Sequence, residues 1–181
     1  MKHKLIAQRY SRAILKLIDE KEFSKLYDDV RSLQQICKEI PEQLKILDSM
    51  LISFSKRKVI GEELCKNLKF KQIWKNLIHV LIHKHRVEIL PDICDEIENH
   101  ILSIQNKQKV TLKVAHKHPQ ETIDIIVERL RKILQKEIIL NLVIEPKIVG
   151  GFMAETESLR IDGSIKNNLI KFVNMKSKKR G

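Results

Sequence analysis

The hydrophobic period of this chain changes once, near residue 106, and that change divides the sequence into two parts. In the first hundred residues apolar side chains recur at spacings of three and four, the period of helices that bury one face. Val110–Val114 instead alternates apolar and polar residues, which is the period of a half-buried strand. We therefore expect a helical domain over residues 1–105, a polar linker over 106–109 and a mixed domain over 110–175.

The N-terminal part contains five or six helical segments with short connections. The first carries apolar residues from Ile6 to Leu17, and the most hydrophobic one runs from Phe70 to Ile82. Pro41 separates two segments, since proline suits the first turn of a helix and disfavours helical geometry in the residue before it. Short helices with brief connections predict an all-α bundle.

The C-terminal part reads as a small α/β domain, which makes the whole chain α+β. A strand at Val110–Val114 precedes a helix that Pro119 opens and a second, branched-residue-rich strand at Ile138–Ile144. Three of the five glycines then fall between positions 150 and 163. In a chain so poor in glycine, backbone geometry is the expected reason for their placement.

This glycine-containing segment predicts strand, tight turn, strand, turn and terminal helix. We interpret it as a structural signature rather than a catalytic one, with Asp162 accepting hydrogen bonds in a turn or helix cap. A phosphate-binding loop would need more glycines and a lysine that opens a helix. The residues that carry the signature are Pro146, Gly150, Gly151, Phe152, Asp162, Gly163 and Ser164.

The formal net charge of +12 raises the alternative of a basic, helical nucleic-acid-binding protein. Residues 1–105 carry 19 basic and 15 acidic side chains, and residues 106–181 carry 16 and 8. Apart from the tail at 176–181, the surplus is diffuse and lacks the interleaved exposed aromatic residues of a nucleic-acid surface. We expect the tail to be a flexible, solvated terminus.

No residue pattern predicts catalysis, a metal site or a cofactor. Cys37, Cys65 and Cys94 match no zinc spacing, and we expect partly buried, reduced thiols. His79 and His83 lie four residues apart but lack a third ligand. No apolar run approaches the roughly 18 residues that would span a bilayer, and the amphipathic N-terminus resembles no secretory signal.

The order of several motifs resembles the delta subunit of F-type ATP synthases, whose mitochondrial counterpart is the oligomycin-sensitivity-conferring protein. The resemblance covers essentially the whole chain and is most specific in its glycine-containing part. Two departures are Ser11, where alanine is usual, and the basic segment 115–119. The motifs are Ala7–Ile14, Asn76–Ile78 with Arg86, Leu90–Ile93, Pro146–Phe152 and Ile161–Ile165.

The resemblance implies a non-catalytic stator subunit that links the catalytic head of a proton-translocating ATP synthase to its peripheral stalk. In the family, the helical bundle takes up the N-terminal helix of an alpha subunit between its first and fifth helices. Helix-in-groove binding needs apolar positions at helical spacing. The positions that fit here are Tyr10, Ala13, Ile14, Leu17, Leu77, Ile78 and Leu81.

The resemblance further implies that the domain at 110–175 joins the b subunits of the peripheral stalk, with the paired glycines shaping that domain. It implies no cofactor and no direct contact with nucleotide or nucleic acid. Membrane association would come through the complex only, on the cytoplasmic face of a bacterial inner membrane.

Overall fold

The computed structural model describes residues 2–116, 119–148, 150–156 and 159–164, and the chain forms two compact units that divide after Ile101. The first unit is helical and the second contains a small sheet. The predicted α+β chain, with an N-terminal bundle before a small α/β unit, is confirmed. The expected terminal helix after Ser164 and the basic tail at 176–181 lie outside the described residues.

Six α-helices begin in the N-terminal unit within the described residues, as the periodicity predicted. Pro41 occupies the first turn of the third, and Ile40 before it leaves helical geometry with φ −125°. A short 3-10 turn at Glu20–Glu22 lies between the first and second helices, and another at Val87–Ile89 lies between the fifth and sixth. The helices are α1 (Lys2–Leu15), α2 (Phe23–Glu39), α3 (Pro41–Asp48), α4 (Phe54–Leu64), α5 (Lys71–His83) and α6 (Leu90–Ile104).

The fifth helix supplies the centre of the bundle core. Trp74, Ile78 and Leu81 of α5 are fully buried, and they pack among apolar side chains from α1, α2 and α6. Gly61 of α4 faces this helix, and a Cβ there would lie 2.6 Å from Cγ2 of Ile78. Glycine therefore lets α4 approach α5 closely, which fixes one side of α5.

The C-terminal unit is a four-stranded sheet with the order β2-β1-β3-β4. Strand β1 pairs parallel to β2 through the crossover helix α7 and antiparallel to β3, and β4 pairs antiparallel to β3. Val110, Leu112 and Val114 of β1 are fully buried under Ile123 and Leu130 of α7. The elements are β1 (Lys107–Val114), α7 (Gln120–Leu134), β2 (Glu137–Ile144), β3 (Phe152–Glu155) and β4 (Arg160–Asp162).

Two details of the C-terminal unit differ from the sequence-based expectation. Residues 107–109 do not form a linker but begin β1, where Lys107 pairs with Glu137 of β2. The polar side chains of these residues do not predict a strand, because the strand here depends on backbone pairing with β2. Asn106, with a left-handed φ of 56° that asparagine tolerates, turns the chain from α6 into β1.

The second difference is that β2 and β3 do not form a hairpin. Strand β1 lies between them, so the segment from Glu145 to Gly151 crosses the carboxyl end of β1. The backbone N–H of Glu145 donates to the carbonyl of Val114 at 2.8 Å, which holds the start of the crossing. The paired glycines therefore end a crossing connection rather than a tight turn.

Candidate functional site: an apolar groove between the first and fifth helices

An open, apolar groove of about 190 Å³ lies between α1 and α5. Buried Ile14 and Leu77 form its floor, half-buried Tyr10 and Ile73 form its walls, and Leu17 and Val80 stand at its exposed edge. Leu17 is 69% exposed and Val80 44% exposed. The lining is completed by Ala13 and Asn76.

Five of the seven positions singled out from the sequence line this groove. Helical spacing brings Tyr10, Ala13, Ile14 and Leu17 to one side, and Leu77 meets them from α5. Leu17 lines the groove although α1 ends at Leu15, because the chain continues into a turn. In this turn the backbone N–H of Leu17 donates to the carbonyl of Ile14 at 2.9 Å. The sequence pattern thus located both helices that form the groove.

The other two positions, Ile78 and Leu81, do not line the groove. Both are fully buried in the bundle core, so neither presents surface to a ligand. They lie on the face of α5 that turns toward the other helices, and the helical period alone does not separate this face from the groove face when both are apolar. Ile78 and Leu81, expected as contact residues, thus belong to the bundle core instead.

Sequence reasoning missed Ile73, Asn76 and Val80 as groove residues. Ile73, Leu77 and Val80 follow one another at spacings of four and three, so they share one stripe of α5. That spacing was readable in the sequence. The hydrophobicity of α5 on several faces obscured which stripe was left uncovered.

Small side chains set the position of α1 against the bundle. Ala7 is fully buried, and Ser11 is also buried. The hydroxyl of Ser11 donates to the backbone carbonyl of Gln8 at 3.1 Å, which satisfies it within the helix. The hydroxyl of Ser11 can therefore be buried in this helix contact without losing a hydrogen-bond acceptor.

A buried carboxyl group sets the position of α5. Asp29 of α2 accepts hydrogen bonds from the backbone N–H groups of Lys69 and Phe70, both at 2.8 Å, and from the indole N–H of Trp74 at 3.1 Å. Lys69 and Phe70 immediately precede α5, so Asp29 holds the chain at the point where this helix begins. The second wall of the groove is thereby tied to α2.

The glycine-containing motif is a packed structural unit. Gly151 has a φ of 84°, and a Cβ there would lie 2.4 Å from the carbonyl oxygen of Gly163. A Cβ on Gly163 would lie 2.8 Å from the ring of Phe152. The N–H of Gly163 donates to the carbonyl of Phe152 at 2.9 Å, and that of Ser164 to the Asp162 side chain at 2.9 Å.

The rest of the motif agrees with this structural interpretation. Pro146 is exposed in a turn that the N–H of Ile148 closes on the carbonyl of Glu145 at 3.0 Å, and Gly150 is buried. Asp162 acts as the turn acceptor that its sequence context predicted. The motif thus joins the start of β3 to the end of β4.

The histidines of α5 contact side chains of α4 instead of each other. Nε2 of His79 lies 3.0 Å from Glu62, and Glu62 accepts a hydrogen bond from Lys75 at 2.8 Å. That hydrogen bond is the main reason why the pKa of Glu62 lies below its usual value. The ring of His83 packs edge-on against Phe54, with centroids 6.1 Å apart.

All three cysteines are buried free thiols. Burial raises the pKa of Cys37 and of Cys65 to about 11 and that of Cys94 well above its usual value. Among the residues that the structure describes, no group of three potential ligands is arranged to hold a metal ion. Over the same residues, no helix combines the length and apolarity of a membrane span.

Comparison with known proteins agrees with this geometry. The family model described as ATP synthase delta (OSCP) subunit matches residues 6–175. The ATP synthase subunit delta of Syntrophobacter fumaroxidans is 29% identical over 95% of this chain and 94% of its own length. The chloroplastic ATP synthase delta chain of Chlamydomonas reinhardtii is 26% identical over 91% and 76%.

The fold has a counterpart among solved structures. A chain of the cryo-EM structure of the Toxoplasma gondii mitochondrial ATP synthase hexamer aligns with a TM-score of 0.75 and 17% identity, covering 93% of this chain and 96% of its own. The family match spans both units, including the groove helices and the glycine-containing motif. The chain therefore belongs to the ATP synthase delta (OSCP) subunit family, and it is a non-catalytic stator subunit of an ATP synthase.

Proposed function

We propose that the groove between α1 and α5 binds the helical N-terminal segment of an alpha subunit of the catalytic head. The observation that carries this proposal is the convergence of Tyr10, Ala13, Ile14, Leu17 and Leu77 on one apolar groove. A groove of this kind accepts an amphipathic helix whose apolar residues recur every three or four positions. Within the part of the chain that the structure describes, its apolar edge at Leu17 and Val80 stays exposed.

We further propose that the C-terminal unit joins the b subunits of the peripheral stalk. The packing of Gly151 against Gly163 supports a role for the motif in shaping this unit rather than in touching the partner. With one joint on the head and one on the stalk, the subunit would hold the head against the torque of the rotor. It would do so in a proton-translocating complex, at the cytoplasmic face of a bacterial inner membrane.

Binding of a synthetic peptide from the start of the cognate alpha subunit tests the groove. We expect Leu17→Asp in the full chain to weaken calorimetric binding by about tenfold or more, since binding would desolvate the new charge. Val59→Asp on α4 is a matched control, because Leu17 and Val59 are each 69% exposed. A second pair is Val80→Asp in the groove, 44% exposed, and Ile60→Asp outside it, 42% exposed.

Equal losses in the groove variants and their controls would show that added negative charge, not the groove, governs binding. Unchanged affinity in both groove variants would remove the groove from the alpha-subunit joint. A gel shift with duplex DNA addresses the nucleic-acid alternative, whose basic tail lies outside the described residues. We expect no salt-dependent shift at concentrations where the peptide binds.

A further inference from the structure

We propose that the helix bound in this groove presents acidic side chains along its polar edges, so that charge as well as apolar fit selects the partner. This inference rests on the proposed function of the groove and specifies the chemistry of its ligand. It follows from how charge is distributed over the two helices that form the walls.

Both walls come from stretches of sequence that contain no acidic residue. Residues 1–18 and 64–87 together carry eleven lysine and arginine side chains and no aspartate or glutamate, whereas the other residues of 1–105 carry eight and fifteen. The stretches include all of α1 and all of α5. The modest net charge of the N-terminal part therefore conceals an uneven distribution of charge along the sequence, in which both groove helices lie in basic stretches.

Some of these cations are neutralised by acidic residues from other helices. Lys4 lies 3.9 Å from Glu96, and Lys75 lies 2.8 Å from Glu62. Both are on faces of α1 and α5 that meet the rest of the bundle. Neutralisation therefore occurs away from the groove.

The cations beside the groove are different. Arg9 and Lys16 precede and follow Ala13 by one helical turn, and Lys84 follows Val80 by one turn. All three are exposed, and none makes an ion pair within the residues that the structure describes. We call these three residues the cationic rim. It borders an apolar floor with charges that a carboxylate-bearing helix would meet on binding.

The rim favours a helix over a flat acidic surface or a nucleic acid. The apolar strip between the cations is lined by Ile14, Leu77 and their neighbours and would be left uncovered by a phosphate backbone. A helix with an apolar stripe flanked by glutamates covers the strip and meets the rim at once. The ligand class is thus an acidic amphipathic helix.

Three synthetic helical peptides test this inference on the full chain. They share one stripe of leucine and isoleucine, and their flanking positions are all glutamate, all glutamine or all lysine. We expect the glutamate peptide to bind most tightly and to exceed the lysine peptide by about tenfold or more at about 50 mM salt. At about 500 mM salt the ratio should shrink to about twofold because the exposed charges are screened.

Paired variants of the protein locate the effect. Arg9→Gln with Lys16→Gln should weaken the glutamate peptide about threefold to fivefold and leave the glutamine peptide unchanged. The control, Lys38→Gln with Lys56→Gln, removes the same charge from exposed residues that also lack ion pairs in the described structure. It should change either affinity by less than about 1.5-fold, since these residues lie outside the groove.

The outcomes separate this inference from the function on which it rests. Equal binding of all three peptides, with loss in Leu17→Asp, would keep the groove and overturn the acidic ligand. Equal losses in the rim variant and its control would also overturn it, since net charge alone would explain the binding. Failure of all three peptides and of the cognate alpha peptide would overturn the groove and this inference together.

Discussion

The carboxyl group of Asp29 lies 3.1 Å from the indole nitrogen of Trp74, so a buried hydrogen bond joins α2 to α5. The same carboxyl accepts hydrogen bonds from the backbone N–H groups of Lys69 and Phe70, the two residues that immediately precede α5. Trp74 is the only tryptophan of the chain and is fully buried. One side chain therefore sets both the position of the groove wall and the environment of the residue that best reports unfolding of the bundle.

Replacing Asp29 by asparagine should destabilise the N-terminal unit by about 2 to 3 kcal/mol. The asparagine amide retains one acceptor oxygen, but its NH₂ group would face the N–H donors that now bind the second carboxylate oxygen. Urea denaturation followed by Trp74 fluorescence measures the change.

Asp28→Asn is the neighbouring control for this experiment. Asp28 is exposed and pairs with Lys69 at the surface. Losing such a pair costs at most about 1 kcal/mol. Equal midpoints for the Asp28 and Asp29 variants would show that the buried hydrogen bonds do not hold α5 in place.

Gly151→Ala should destabilise the C-terminal unit by about 1 to 3 kcal/mol, because φ is positive there and the new Cβ would meet backbone atoms. The single tryptophan and both tyrosines lie in the N-terminal unit. Loss of sheet structure should therefore shift the circular-dichroism transition while Trp74 fluorescence stays unchanged.

Gly163→Ala provides the comparison within the motif. A Cβ there would meet the side-chain ring of Phe152, which can rotate, rather than backbone. We expect Gly163→Ala to lose less stability than Gly151→Ala.

The larger variant Gly151→Val should also weaken the joint to the stalk. Membranes that carry it should release the catalytic head more readily in low-salt washes. Wild-type stability and head retention in the Gly151 variants would exclude a structural need for this glycine.

Ile78→Ala and Leu17→Ala should separate packing from contact. Ile78 is fully buried, so its truncation should cost about 2 to 5 kcal/mol of stability. The affinity of the folded protein for the alpha peptide should barely change. Leu17→Ala should do the reverse, with stability within about 0.5 kcal/mol of wild type and affinity reduced several-fold. Reduced peptide affinity in a fully folded Ile78 variant would return Ile78 to the site.

The cysteines should be protonated and slow to react at neutral pH. Because the pKa of Cys37 and Cys65 is about 11 in the folded chain against an ordinary value of 9.0, unfolded thiols lose protons first as pH rises. These two groups should therefore lower stability as pH rises from about 9 through 11. Urea midpoints across this range measure the decline, which a double Cys→Ala variant should reduce.

Iodoacetamide labelling checks the same cysteines directly. At pH 9 we expect native labelling to be at least about tenfold slower than labelling in urea, since the thiolate is the reactive form. Fast native labelling at pH 7 would contradict the buried, protonated state.

Periodicity was sufficient to predict the bundle, the Val110–Val114 part of strand β1 and helix α7, because each buries one apolar face. Strand β2 was predicted instead from its short run of branched residues. Periodicity was insufficient at residues 107–109, which are polar but belong to β1 because their backbone pairs with β2. The connection between β2 and β3 was also beyond it. Nothing local in Pro146–Gly151 reveals that β1 lies between those strands, since strand order is a long-range property.

The groove could be predicted in outline but not in detail. Helical spacing placed Tyr10, Ala13 and Leu17 on one stripe of the first helix, beside the stripe that buries Ala7 and Ser11. Helix α5 is apolar on several sides, so the sequence did not distinguish the core residue Ile78 from the groove residue Val80. That distinction depends on which neighbouring helix covers each side.

The central position of β1 has a consequence for the order in which the chain folds as it is synthesised. Strand β1 is made before both of its neighbours, and its second edge stays open until Phe152–Glu155 has been made. Both walls of the α1–α5 groove are complete much earlier, and N-terminal domains generally fold first on the ribosome. We therefore expect the groove of the nascent chain to be complete while one edge of β1 is still unpaired, before β3 has been synthesised.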